Sequence, residues 1–226
     1  NLLAVDRLQG LVESYGAELY SSALTAVNDY GRRLSLAALG EVAGGIYSAE
    51  DFLDDDGFGG EGLALRVSIE ISEAGISYDF TESSDQVRGN LNCPESVAAA
   101  AAYYCHCCLL PVGAPLCAGL FKDLKILTRK PSIVNPAFPA AVAAGNVETS
   151  MRLVDLVFRA LAKALPHRIP AASQGTMNNI TFGNNSYSHY ETVGGGSGAM
   201  IGSSGTTAVQ VHMTNTAITD PEVLES

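Results

Sequence analysis

The chain has 226 residues, a formal net charge of −11 and charged side chains at only 16% of its positions. That balance excludes a nucleic-acid partner, because phosphate contacts need a basic face, and it disfavours an anionic membrane surface. No apolar run reaches the roughly 18–20 residues of a membrane span, and no signal-peptide layout opens the chain.

Residues 2–39 read as two amphipathic helices packed together, interrupted at Gly16. Leu2, Val5, Leu8, Leu11 and Val12 recur at three- and four-residue steps, which places them on one face. The adjacent Asp54, Asp55 and Asp56 lack the alternation of a calcium loop and no Glu stands six residues beyond Gly57, so a solvated hairpin tip is expected. LALRVSIEIS and GISYDFTES alternate with period two and predict a hairpin turning at 73–75.

After Pro94 an Ala-rich helix is expected, central and buried, since an alanine run lets two backbones approach closely. His106 on it is expected to be a hydrogen-bonded structural residue. The five cysteines are odd in number and three crowd into YYCHCCLL. They suit reduced core thiols in a cytoplasmic protein better than a disulfide framework, and paired zinc-knuckle spacing is lacking.

LFKDLKILT, residues 120–128, predicts a strand. A helix then opens at Glu148, Thr149 and Ser150, carries Leu153, Val154, Leu156, Val157, Leu161 and Leu165 on its apolar face, and ends at Pro166. Its free amide N–H groups suit an anion, or Asn146 or Thr149 is simply the N-cap. From residue 169 strands and loops are expected, with AVQVHMTNT alternating so that Val209, Val211 and Met213 oppose Gln210, His212 and Thr214. The fold class expected is α+β: a mixed sheet contributed largely by the second half, packed helices including the Ala-rich one, and the two N-terminal helices. Residues 1–45 form a helical part and 46–226 the α+β body.

The chemistry-bearing stretch is QGTMNNITFGNNSYSHYETVGGGSGA, with six Gly and four Asn. Around Ser197 it approaches the nucleophile-elbow pattern G-x-S-x-G, but Ala199 replaces the last Gly and no helix follows. A cradle of glycyl backbone N–H groups is the alternative. Polar side chains, mostly amides and hydroxyls, cluster at Asn178, Asn179, Tyr190, Glu191, His212, Thr214, Asn215 and Thr216. Buried and unpaired, such groups cost about 1–3 kcal/mol each, so they bond either to one another or to a ligand.

PAAVAAGNVETSMRLVDLVFRALAKALPHRIPAASQGTMNNITFG, HYETVGGGSGAM and VQVHMTNTAITDPEVLE together resemble the hydantoinase B/5-oxoprolinase C-terminal family, and the resemblance covers nearly the whole chain. It implies a cytoplasmic, ATP-dependent ring-opening system for cyclic amides of the hydantoin or 5-oxoproline type, with ketone carboxylase subunits as relatives and a non-catalytic scaffold as the competing role. ATP would be bound by a companion A-type subunit or domain and not by this chain. A divalent metal is implied for an N-terminal stretch that nothing here matches, so no metal ligand is expected in this chain. Opening on Asn1, the chain is expected to be an internal, central to C-terminal fragment of a B-type subunit, inactive in isolation. The low charge suits a surface covered either by further chain or by a partner subunit in a homo- or hetero-oligomer. With this resemblance, Glu191 or His212 is expected to handle the proton of attacking water or leaving nitrogen. Asn178, Asn179, Gly194, Gly195, Gly196 and Asn215 would bind the substrate, oriented by Asn146 and Glu148.

Overall fold

The computed structural model describes residues 2–212. Helix α1, Leu2–Tyr15, and helix α2, Ala17–Gly40, meet at Gly16, whose φ of 80° lies in the left-handed region that favours glycine. The expected packing of the two helices is corrected: α1 buries no residue at all, and Leu2, Val5, Leu8 and Leu11 stay exposed. Only the second half of α2 is anchored. There Asn28 Oδ1 accepts the Gly119 N–H at 2.9 Å, Arg32 pairs with Asp123 at 2.7 Å, and Ser35 Oγ lies 2.8 Å from His106 Nε2.

Strands β1, Gly45–Asp55, β2, Glu61–Ser72, and β3, Gly75–Asp79, form an antiparallel meander. Strand β4, Leu124–Leu127, adds to β3 in parallel and completes a four-stranded mixed sheet in the order β1-β2-β3-β4. Three of its four strands, β1 to β3, come from the first half of the chain, which corrects the expectation that the second half largely supplies it. Strand β1 escapes a sequence reading because its acidic residues mask the alternation. The predicted strand over 120–128 is shorter, since Ala118–Phe121 forms a 3-10 turn first.

The hairpin tip between β1 and β2 is only partly solvated. Asp54 and Asp55 are exposed, but Asp56 is buried and accepts the N–H groups of Phe58, Gly60 and Gly89 at 2.9, 2.8 and 3.2 Å. A carboxylate can be buried there because three amides replace its water.

Helix α3, Glu95–Cys107, and helix α4, Thr149–Leu161, pack on each other, and α4 also lies against β1 and β2. The alanines permit this: Ala98, Ala101 and Ala102 are fully buried, and the Cys105 thiol reaches Val154 O at 3.7 Å. Leu65, Val67, Ile69 and Ile71 of β2 join Leu153, Leu156, Val157 and Leu161 of α4 in one core. Each such side chain contributes about 1.5–3 kcal/mol on burial. Arg152 and Arg159 of α4 both face Asp51 of β1, at 3.6 and 3.1 Å, and tie the helix to the sheet edge.

Among the described residues, the second half supplies β4 and a separate two-stranded hairpin, β5, Asn179–Gly183, and β6, Ser188–Thr192. The strand expected over 208–216 does not form in its described part. Ala208 and His212 have φ of 55° and 59°, and a left-handed residue breaks an extended ladder.

Candidate functional site

Asp155 is the one acidic residue on the buried face of α4, within the apolar run LVDLVF. Its Oδ1 lies 3.0 Å from His212 Nε2 and accepts the Ser173 N–H at 3.1 Å, and its Oδ2 accepts the Ser173 hydroxyl at 2.9 Å. Burial pushes the Asp155 carboxyl upward, but the hydrogen bonds from His212 and Ser173 outweigh it and hold the group below the ordinary carboxylate value. An ionised carboxylate only accepts, so Nε2 of His212 carries a proton in this contact, and in the neutral ring Nδ1 is the lone-pair nitrogen. The imidazole is boxed by Tyr104 and Phe158, both with ring centroids 5.8 Å away. Its left-handed backbone is held in place by these contacts.

Beside His212 lies an open cleft of about 450 Å³, walled by Tyr104, Leu109, Phe158 and Pro170, with Arg168 and Gln210 as polar lining. A second hollow of about 270 Å³ lies against Asp155, Arg159 and the same imidazole. Cys108 also borders the larger cleft. Burial raises its thiol above the ordinary value, so it is an unactivated thiol at neutral pH.

The other residues expected in a site lie outside these clefts. Glu148 Oε1 accepts the Thr176 hydroxyl at 2.7 Å, and Asn178 Oδ1 stands 3.2 Å from the same hydroxyl. Asn179 Oδ1 accepts the Thr192 hydroxyl at 2.7 Å across the β5–β6 hairpin. Glu191 Oε2 is 3.2 Å from His189 Nε2 on the exposed side of that hairpin. Gln210 links the two regions, since its Nε2 donates to Thr192 O at 2.6 Å while its side chain lines the larger cleft. The structure thus joins Glu148 with Asn178, leaves Asn146 exposed, and sets Glu191 apart from His212. Asn215 lies outside the described residues.

The glycine loop makes the close approach that its composition suggests, but to the chain's own atoms. A Cβ on Gly195 would meet Gln174 Oε1 at 1.6 Å, and one on Gly198 would meet Ala171 O at 1.8 Å. The Gly196 amide donates to Val209 O at 3.1 Å, and Ser197 N donates to Thr206 O at 2.9 Å. Gly194 packs against the backbone at Ala208. The amides of Gly196 and Ser197 are therefore already engaged.

At the opening of α4 the N-cap position is Glu148, without a side-chain capping bond, which corrects Asn146 and Thr149 as N-cap. The Thr149 hydroxyl donates instead to Leu91 O at 2.5 Å. A carboxylate at the helix entrance disfavours a nucleotide phosphate there. Among the described residues no group of three or more His, Cys, Asp or Glu is placed to hold a metal ion, and no helix is long and apolar enough to cross a membrane. All five cysteines are free. His106 is buried and bonded to Ser35, as a structural residue on a buried helix is expected to be.

Asp155 and Ser173 are the functional candidates that sequence reasoning missed. The available signal was the lone carboxylate in LVDLVF, because a charge on a buried face must have partners.

The 5-oxoprolinase 1 of Arabidopsis thaliana is 43% identical over 176 residues, covering 78% of this chain and 13% of that protein. The crystal structure of an ATP-dependent caprolactamase from Pseudomonas jessenii superposes with a TM-score of 0.78 at 25% identity, over 89% of this chain and 36% of that one. A nucleotide-free acetone carboxylase structure superposes with a TM-score of 0.74 at 15% identity, over 89% of this chain and 30% of that one, and so shares the fold. The chain therefore spans well under half the length of these relatives. The family model for hydantoinase B/oxoprolinase matches residues 1–226, and the chain belongs to that family.

Proposed function

We propose that this chain is the central to C-terminal portion of a B-type subunit of a cytoplasmic, ATP-dependent hydrolase that opens cyclic amides of the hydantoin or 5-oxoproline type. ATP is bound and spent by a companion A-type subunit or domain, and this chain contributes a proton-transfer dyad. The observation that carries the reading is the 3.0 Å contact of His212 with the buried Asp155 at the wall of a cleft large enough for a small ring. The lone pair of His212 takes the proton of attacking water and returns it to the leaving ring nitrogen. Asp155 holds the imidazole in the required tautomer and offsets the charge it acquires. Ser173 fixes the carboxylate. Glu148, Asn178 and Asn179, together with the Gly194–Gly196 backbone, brace the wall that carries Gln210, and Asn146 and Glu191 face solvent, where a docked companion could reach them.

The test is ring opening by the full-length protein with its companion, ATP and either hydantoin or 5-oxoproline, comparing wild type with His212→Gln. A drop in kcat of about 10²-fold or more is expected from loss of a positioned acid–base group. Unchanged turnover in the folded variant sinks the assignment.

A scaffold role is the second reading. It is favoured by the self-contained bonding of Asn179 to Thr192 and of the glycine loop to residues 171, 174 and 206–209. Under it, His212→Gln weakens companion binding and leaves chemistry intact once the complex is saturated. Ketone carboxylation shares only the fold here, and consumption of bicarbonate with acetone by the same complex would identify it.

A further inference from the structure

Arg168 borders the same cleft as His212, and its charge is almost unspent. The turn after α4 positions it, with its N–H donating to Leu165 O at 3.0 Å. Its guanidinium donates through Nη2 to Leu109 O at 3.1 Å, a wall residue of the cleft. Its one ionic partner among the described residues is Glu41 at 3.7 Å, a side chain 75% exposed. An exposed pair at that distance is weak and easily exchanged. The neighbouring cations differ in their partner: Arg159 lies 3.1 Å and Arg152 3.6 Å from Asp51, whose side chain is largely shielded from water.

We propose that Arg168 is the anion-recognising residue of this cleft, which selects a small ring carrying a carboxylate over its neutral counterpart. The assignment rests on the cleft beside His212 being the substrate site. Tyr104, Leu109, Phe158 and Pro170 give the ring an apolar bed, and a guanidinium matches a carboxylate with two parallel N–H donors. A chain of net charge −11 repels anions at long range, so an anionic ligand needs a local cation of this kind. Glu41, at the C-terminal cap of α2, acts as the carboxylate that the ligand displaces.

Calorimetric binding to the full-length protein tests this with two probes, 2-pyrrolidinone and its 5-carboxylate. Wild type is expected to prefer the carboxylate by about tenfold, a charge-assisted bidentate bond being the difference. Arg168→Gln is expected to bring that ratio to about one while neutral-lactam affinity holds, and Glu41→Gln to raise carboxylate affinity by about two- to threefold, an exposed pair being what it removes. A preference that survives in Arg168→Gln, or equal binding of both probes by wild type, overturns the proposal. Glu41→Gln keeps the test decisive even if Arg168→Gln fails to fold, since unchanged or weaker carboxylate binding also counts against it. His212→Gln separates the two readings: full turnover with the binding ratio intact sinks proton transfer by His212 and keeps the role of Arg168.

Discussion

Asp155 and His212 are 57 residues apart in the chain and 3.0 Å apart in space, a buried carboxylate of one helix holding the imidazole of a loop. Every oxygen of that carboxylate is engaged, Oδ1 by His212 and the Ser173 amide and Oδ2 by the Ser173 hydroxyl. Asp155→Asn keeps the volume but turns an acceptor into a mixed donor–acceptor, which favours the wrong imidazole tautomer. We expect kcat for amide hydrolysis to fall by about 10²–10⁴-fold with KM nearly unchanged. Steady-state kinetics of the complete enzyme check this, and a proportionate rise in KM would count against it.

The same carboxylate makes stability depend on acid. Its folded value lies below the ordinary one, so its contribution is fully present above the unfolded carboxylate range and is lost as pH falls through the folded value. Urea unfolding should show wild type more stable than Asp155→Asn at pH 7, with the gap narrowing below about pH 4. A constant gap across that range would exclude the linkage.

His106 titrates in the opposite chemical sense but with the same dependence on pH. Burial lowers it from 6.5 to about 4, so between those values the unfolded chain binds the extra proton and the folded chain does not. Stability therefore falls as pH drops from 6.5 toward 4, by about 2–3 kcal/mol at the lower end. His106→Gln should be less stable at pH 7, because Ser35 loses its partner's geometry, yet show a flatter profile in denaturant titrations from pH 7 to 4.5. An equally steep profile in the variant would assign the slope elsewhere.

Gly198 and Gly10 should respond to alanine in opposite directions. A Cβ on Gly198 meets Ala171 O at 1.8 Å, whereas one on Gly10, within α1, meets nothing within 4 Å. Gly198→Ala is expected to cost about 1–3 kcal/mol through overpacking. Gly10→Ala is expected to favour its helix by about 0.5–1 kcal/mol. Thermal unfolding and helical circular dichroism of the two variants measure this, and a Gly198→Ala protein as stable as wild type would refute the loop packing.

Leu8 and Leu156 contrast an exposed helix with a buried one. Leu156 is fully buried in α4, and Leu8 is 49% exposed in α1. Leu156→Ala should destabilise the body by about 2–5 kcal/mol, and Leu8→Ala by less than about 0.5 kcal/mol. Denaturant midpoints at constant slope provide the comparison. A large loss for Leu8→Ala would mean that α1 is covered by another surface.

The amino-acid order by itself determined the helices at 2–15, 17–40, 95–107 and 149–161, the break at Gly16, the β2–β3 hairpin and the family, because each is a local pattern of period 3.6 or 2, a glycine, or a long run of words. It also named His212, with Glu191, as a candidate for proton transfer. Tertiary structure alone decided that α1 buries nothing, that β1 leads the sheet, that the glycine loop closes on its own backbone, and that Asp155 rather than Glu191 stands beside His212. These are relations between residues tens of positions apart. No periodicity encodes them, since a carboxylate in an apolar run announces that it needs a partner but not which distant side chain packing will bring to it.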